Sequence, residues 1–411
     1  MRDLTGVQIV IAGGRSKRYF KLIARGMQPA GVRLSNQRAV LTQIGIEPGL
    51  SNADLARRTE LAPQTVSAVL ADLEQAGLLL RGEVRRGRRG QPATPLFTNP
   101  DGAYVIGAEI GWTHLEVVLV DLRTRVIGRH RRDYDYPDAT MVFERLATAV
   151  ADLVGSLSKE AKCRLLGLAL AAPSGLGDPL SLVAPPPGQA EIWAGIDIAR
   201  KASEVTGLDV QLFNDGNAAC WAEFVAHTSP RPGNFAYLFI GALVGAGIIS
   251  QDRLWEGVTG ESANLGSMLV TDRQGTPRFV HQIASIQVLR QRLAAAGVGL
   301  ASALDDVPPP EAQIVLAEWI EDSSFALAQT ILNTATVLEF DFAIIDAELP
   351  VPLRTRLVEA VRRRILDIPS LGRTRPTVSS GHLGRSGAAQ GAAYLRLYRR
   401  FFSRELEHME G

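Results

Sequence analysis

Cysteine is nearly absent from the 411 residues: Cys163 and Cys220 are the two that occur, far apart in the chain. Two distant cysteines exclude a disulfide framework and a cysteine-rich metal knuckle, and they fit a reducing cytoplasm. No run of about 18 or more apolar residues occurs, so no membrane span is expected. The N-terminus, MRDLTGVQIVIAGGRSKRYFK, has one short apolar run, Val7 to Ala12. It lacks the basic start, long apolar core and small-residue cleavage site of a secretory signal. Hydrophobic residues make up 46% of the chain, enough for real cores, and the length suggests two or three domains.

Overall charge is also scarce, at +1, but the balance is uneven. Residues 1–100 hold 15 Lys and Arg against 7 Asp and Glu, a surplus of +8, which leaves −7 for the rest. A basic N-terminal quarter on an acidic body is the layout of a nucleic-acid-binding module joined to something else. The charge is densest in VRRGRRGQPATP, Val84 to Pro95, where Arg85, Arg86, Arg88 and Arg89 stand among glycines with no acid in the stretch. A salt-bridge network would interleave acids, so the strip reads as a solvated linker or as a strip laid along a polyanion.

The residues before it favour the second reading. SNADLARRTE predicts a short helix with Ser51 or Asn52 as N-cap and Asp54 in its first turn. In LAPQTVSAVLADLEQAGLLL, Pro63 suits a first helical position, and Val66, Val69, Leu70 and Leu73 form one buried stripe. Gln64, Thr65, Ser67 and Asp72 lie on the opposite face, and Gly77 is the expected stop. Two helices with a break at Glu60, Leu61 and Ala62 make a helix-turn-helix. Gln64, Thr65 and Ser67 then stand near the end that enters the major groove, within reach of base edges or phosphates. LLLRGEVRRGRRGQPATPLFTN follows as strand, Gly/Arg tip, strand, the wing of a winged helix. The four arginines and Gln91 are its expected DNA contacts, to phosphates or in the minor groove.

After residue 98 the pattern changes. YVIGAEIG, HLEVVLVDL and RVIGRHRRDY predict a β meander; MVFERLATAVADLVGSL predicts a helix, and LLGLALAAPS a strand. DVQLFNDGNAACWAEFVAH and NFAYLFIGALVGAGIIS repeat the theme of strand, helix and glycine-bearing strand pair. A β-β-β-α-β-α order appearing twice is a two-lobed α/β arrangement with a cleft between lobes. The domains expected are an extension over 1–30, a winged helix-turn-helix over 31–98, and a two-lobed domain over 99–411. The basic segment 15–31 reads as a DNA-contacting arm, a dimer helix or a tail.

These motifs together, with GHLGRSGAAQGAA late in the chain, resemble the ROK family of repressors, open reading frames and kinases. The likeness covers about residues 33–395 and lies with the branch of sugar-responsive repressors that carry an N-terminal winged helix. It implies an actin-like, hexokinase-like duplicated fold. It also implies where the chain departs from the family's kinases. The first phosphate hairpin reads Glu109-Ile110-Gly111-Trp112-Thr113, with an indole where backbone should approach phosphate. The second reads Gly241-Ala242-Leu243-Val244-Gly245, and the adenine-side Gly-Gly reads Asp346-Ala347. Asp215 stands where the family's catalytic base stands, although a helix N-cap is the bland reading of the same aspartate.

The family's sugar and zinc positions have changed type. Asn264 replaces a sugar-binding glutamate, Ser267 a histidine that touches both sugar and zinc, and Pro186 an asparagine. The cysteine loop is replaced by TDRQGTPRFVHQIAS, and zinc needs about four N/S ligands, so neither zinc nor ATP is expected. Asn214, Asp215, Glu261, Asn264 and His281 remain as a polar cluster for a carbohydrate or polyol, with no catalytic residue assigned. Glu261 also reads as a solvated loop acid, and His281 as an ordinary packed histidine. The favoured function is a cytoplasmic, non-enzymatic repressor that binds double-stranded operator DNA as a homodimer or homotetramer under control of a carbohydrate-like effector. An active or vestigial sugar kinase, and a regulator controlled by a protein partner with no small ligand, stay open beside it.

Overall fold

The computed structural model describes residues 29–84, 94–177, 182–183, 185–227, 232–261, 263–369 and 374–402. Three helices come first: α1 (Pro29–Ile46), α2 (Asn52–Thr59) and α3 (Pro63–Gln75). Ser51, not Asn52, caps α2, in a reciprocal capping box with Asp54. Glu60 in the left-handed region (φ 58°) ends α2, and Pro63 opens α3. Gly77, at φ 70°, turns the chain out of α3. The expected stripe of Val66, Val69, Leu70 and Leu73 is buried against Val40, Leu41, Ile44 and Leu55. Antiparallel β1 (Leu79–Arg81) and β2 (Leu96–Thr98) form the base of the wing.

The first lobe runs through β3 (Tyr104–Ile110), β4 (His114–Asp121), β5 (Val126–Asp133), α4 (Ala139–Gly155), α5 (Lys159–Lys162), β6 (Leu165–Ala172), α6 (Gln189–Ala194), α7 (Ile198–Thr206) and β7 (Val210–Asn214). Its sheet has the order β5-β4-β3-β6-β7. The β3–β4–β5 part is antiparallel, while β6 and β7 add in parallel. α8 (Asp215–Ala226) crosses to the second lobe. There follow β8 (Phe235–Ile240), β9 (Val244–Ser250), β10 (Arg253–Leu254), the small hairpin β11 (Leu269–Thr271) and β12 (Pro277–Phe279), and helices α9 (His281–Ala284), α10 (Ile286–Ala295), α11 (Leu300–Ala303) and α12 (Pro310–Leu338). The lobe closes with β13 (Phe342–Ala347), α13 (Val351–Asp367) and β14 (Thr377–Ser380). Its sheet order, β10-β9-β8-β13-β14, repeats the first, again with three antiparallel strands and two parallel ones. The twofold β-β-β-α-β-α order of the sequence is therefore a duplicated sheet.

α14 (Gly387–Leu397) passes back between the lobes and ends in a π-helical turn, Tyr398–Phe402. It is wedged between α8 and β3. A Cβ on Gly391 would stand 1.7 Å from the Ala218 carbonyl oxygen, and one on Gly107 would stand 2.2 Å from that of Ala389. Only glycine permits backbones this close. No helix among the described residues is long and apolar enough to cross a membrane.

Candidate functional site

All five residues of the expected polar cluster line one cleft of about 600 Å³ between the lobes. Each comes from a different local device. Asn214 ends β7 and Asp215 starts α8, so the strand-to-helix junction aims both at the opening. The cap of α8 is Asn214, whose Oδ1 accepts from the Asn217 N–H at 3.0 Å. This corrects the bland reading of Asp215 as the cap. It also leaves the Asn214 amide with its other end on the Ser174 hydroxyl, at 3.2 Å. Asp215 is half-buried and accepts from the Gly216 N–H at 2.8 Å. Burial first, and the charge of Glu109 second, raise its carboxyl to about 6.

From the second lobe come Glu261 and Asn264, both exposed, and His281 at the start of α9. His281 packs on Gly266, where an added Cβ would stand 2.1 Å from its Cε1. Its Nδ1 accepts from the Val244 N–H at 3.0 Å, which places the ring proton on Nε2. Burial lowers its pKa to about 4, so the ring is a neutral donor near pH 7.

The same cleft holds a charged group that the sequence reading did not single out. His114, 2% exposed, lies between the carboxylates of Glu109 (Nε2 to Oε2, 3.3 Å) and Glu348 (Nδ1 to Oε1, 4.0 Å). Burial opposes charge on this imidazole, but Glu109 outweighs it and the pKa is raised. Glu348 is raised by its own burial and held by Arg385 at 3.6 Å. Arg385 also reaches Asp133 of the first lobe at 3.2 Å, and Ser386 donates to buried Glu116 at 3.1 Å. These contacts tie the segment between β14 and α14 to both lobes. Their sequence signal was faint: a histidine opening an apolar strand, and an acid just past another.

The two glycine hairpins meet through apolar side chains. Trp112, 8% exposed, shares one buried cluster with Ala242, and Leu243 packs on it. Beyond β13, Asp346 is fully buried, paired with Arg354 at 2.6 Å and accepting from the Gly384 N–H at 2.6 Å.

On the first module, Gln64 and Ser67 are exposed on α3 and Thr65 is half-buried. The Ser67 hydroxyl donates to the Pro63 carbonyl and accepts from the Asn52 amide, so it is already engaged. Asp72, further along the same helix, accepts from Arg33 and Gln37 of α1. Arg85, Arg86, Arg88, Arg89 and Gln91 lie outside the described residues.

The turn that follows α14 reaches this module. The Arg38 guanidinium donates to the Arg400 carbonyl at 3.2 Å, and Phe402 offers its carbonyl to Thr42 at 2.6 Å. Phe401 and Phe402 pack both on the winged-helix core and on the core around α8 and α14.

Against known proteins, a family profile described as ROK family matches residues 105–398, more than half of the chain. The chain belongs to the ROK family. A MarR family profile matches residues 26–90, over the helix-turn-helix. The chain is 27% identical over 372 residues to an uncharacterised protein, y4fQ, of Sinorhizobium fredii, covering 90% of this chain and 92% of that one. It is 24% identical over 242 residues to the xylose repressor of Bacillus subtilis, 58% of this chain and 61% of the repressor. It is also 24% identical over 243 residues to the DNA-binding transcriptional dual regulator NagC of Escherichia coli, 58% of each. Among solved structures, a ROK family transcriptional regulator, described as a homologue of E. coli MLC, aligns over 90% of this chain and 98% of its own at TM-score 0.65 and 19% identity. A ROK family glucokinase from Streptomyces griseus, solved with glucose and AMPPNP, aligns over 71% and 99% at TM-score 0.55 and 20% identity. At these identities the structures share the fold, and that fold spans regulators and kinases alike.

Proposed function

We propose that this ROK protein is a DNA-binding transcriptional repressor whose cleft takes an uncharged carbohydrate or polyol and transfers no phosphate. One observation carries the reading. A single helix, α14, has Ala388 in the wall of the cleft at one end and, at the other, the turn that docks on α1 of the winged helix. A ligand that changes the cleft therefore acts on the element that holds the DNA module.

The cleft's chemistry supports the ligand class. Glu109, Asp215, Glu348 and Glu261 line it against one arginine, and a wall rich in carboxylates suits hydroxyl donors better than phosphates. Trp112 and Ala242 fill the space between the hairpins, which speaks against ATP. The family's zinc segment retains His281 as its one nitrogen ligand, and Val244 already engages its Nδ1, a donor set that does not fit tetrahedral zinc. The printed names of the xylose repressor and of NagC point the same way. Gln64, Thr65 and Ser67 would face the major groove and the wing arginines the backbone, two copies of the chain reading two half-sites.

The test is a thermal-shift screen of the full chain against monosaccharides, polyols, sugar phosphates and ATP–Mg. A ligand at about a hundred times its Kd stabilises by about 2.7 kcal/mol, a shift of a few degrees. A neutral sugar or polyol is the expected hit. ATP–Mg as the hit overturns the non-enzymatic reading. Silence throughout overturns the small-ligand reading and points to a protein partner.

A further inference from the structure

A second group of ligand-type side chains sits about 12 Å along α8 from Asp215. Glu223, fully buried, is on the last turn of that helix; His227 follows its end, and His382 is two residues past β14. The His382 backbone N–H donates to Glu223 Oε2 at 3.1 Å, which fixes the carboxylate and turns Oε1 toward both imidazoles. Oε1 lies 2.5 Å from His382 Nδ1 and 3.7 Å from His227 Nε2. The two rings stand edge to face, centroids 5.4 Å apart, with Phe342 as an apolar wall beside His227. The three ligand atoms lie within 4.8 Å of one another, the one such group of His, Cys, Asp and Glu found among the described residues.

We propose that Glu223, His227 and His382 bind a divalent transition metal of the zinc type, with water completing its coordination. Two imidazoles and one carboxylate are a donor set that Zn²⁺, Co²⁺ and Ni²⁺ accept. Ligand atoms around tetrahedral zinc stand about 3.3 Å apart, given bonds of about 2.0 Å. The observed 2.5 and 3.7 Å straddle that value. The His382 side chain, 62% exposed, has room to swing outward to meet the ion and leaves a path for it from solvent. The backbone hydrogen bond to Oε2 orients the buried ligand in advance. Because Glu223 and His382 are 159 residues apart, no short motif announces the site. It is distinct from the cleft and from the family's zinc loop. Once bound, the metal joins the end of α8 to the segment that carries Arg385 and Ser386 to the first lobe.

The test uses the full chain stripped of metal, equilibrium dialysis against Zn²⁺, and Co²⁺ absorption in the visible range. Wild type is expected to take up one equivalent of Zn²⁺ and to give Co²⁺ d–d bands. His382→Ala, at an exposed position that leaves the fold intact, and His227→Asn should each weaken uptake at least about tenfold. Cys163→Ser and His130→Gln, at other surface donors, should change nothing. Uptake unaffected by His382→Ala, or no uptake at about 100 μM Zn²⁺, well above the Kd range of built zinc sites, overturns the proposal.

Discussion

The joint between the turn that follows α14 and the winged helix can be broken without touching cleft or DNA face. In Phe402→Ala the ring that packs under α1 is lost; in Thr42→Val the hydrogen bond to the Phe402 carbonyl goes while the volume stays. A fully buried phenylalanine contributes about 3 kcal/mol, and Phe402 is half-buried, so about 1–2 kcal/mol is expected from the ring. The hydrogen bond adds about 1 kcal/mol, because the Thr42 hydroxyl is shared with the Arg38 carbonyl and the freed acceptor can reach water. The two residues touch, so the double variant should fall short of the sum. A loss of about 2 kcal/mol at the joint raises the detached population about thirtyfold. Amide hydrogen exchange reads this directly: α1 should lose protection in the double variant while β3 and β13 keep theirs. Equal protection of α1 in wild type and double variant would refute the claim that this turn holds the module. So would a uniform loss over the whole chain, which would mark the joint as part of one cooperative core.

His281 carries a pH dependence. Its folded pKa, about 4, is below the unfolded value of about 6.5, so the unfolded chain binds the extra proton between those limits and stability falls as pH drops through them. His281→Gln should remove up to about 3 kcal/mol of that fall in urea melts at pH 4.5 and 7; an unchanged difference would mean that the ring titrates normally. Asp215 works in the opposite sense, its folded pKa of about 6 adding stability on acidification toward pH 4, so Asp215→Asn should steepen the net acid loss, again by urea melts. Trp112→Gly should cost about 3–5 kcal/mol by the same assay, because the indole is core and not a lid; a loss below about 1 kcal/mol would place it outside the core. Replacing Arg85, Arg86, Arg88 and Arg89 by alanine should flatten the slope of log K against log salt for duplex DNA by up to about 3–4, and an unchanged slope would remove the wing from the interface.

The parts legible in sequence are those in which one local pattern has one outcome. The stripe Val66, Val69, Leu70, Leu73 could be only a helix face, and Gly77 only its end. The repeated strand order needed nothing beyond alternating runs and glycine turns. The five cleft residues came together because each sits at a strand end or loop that the duplicated fold points inward. What sequence could not show depends on distant partners. Asp72 reads in sequence only as a polar residue opposite the buried stripe of α3, but at the surface it is engaged by Arg33 and Gln37 of α1. The N-cap of α8 fell one residue earlier than the bland reading placed it, since Asn and Asp cap almost equally well. His114, Glu348 and Arg385 lie on three separate segments and meet only when the lobes close. The Phe401–Phe402 pair carries no signal that sequence reading picked out; packing shows it as the joint.

A ligand shifts a conformational balance only by the difference in its affinity for the two states. A molecule held by Asn214 and Asp215 alone would touch one lobe and bias nothing. The cleft avoids this, because Glu261, Asn264 and His281 stand on the other lobe and a ligand of a few hydroxyls can span both. The resting contacts across the gap are His114 with Glu348, Arg385 with Asp133 and Ser386 with Glu116, and the partly exposed ones are individually weak. A bridging ligand thus competes against interactions of its own scale. The last two of these contacts belong to the short segment that leads into α14, and α14 ends at α1.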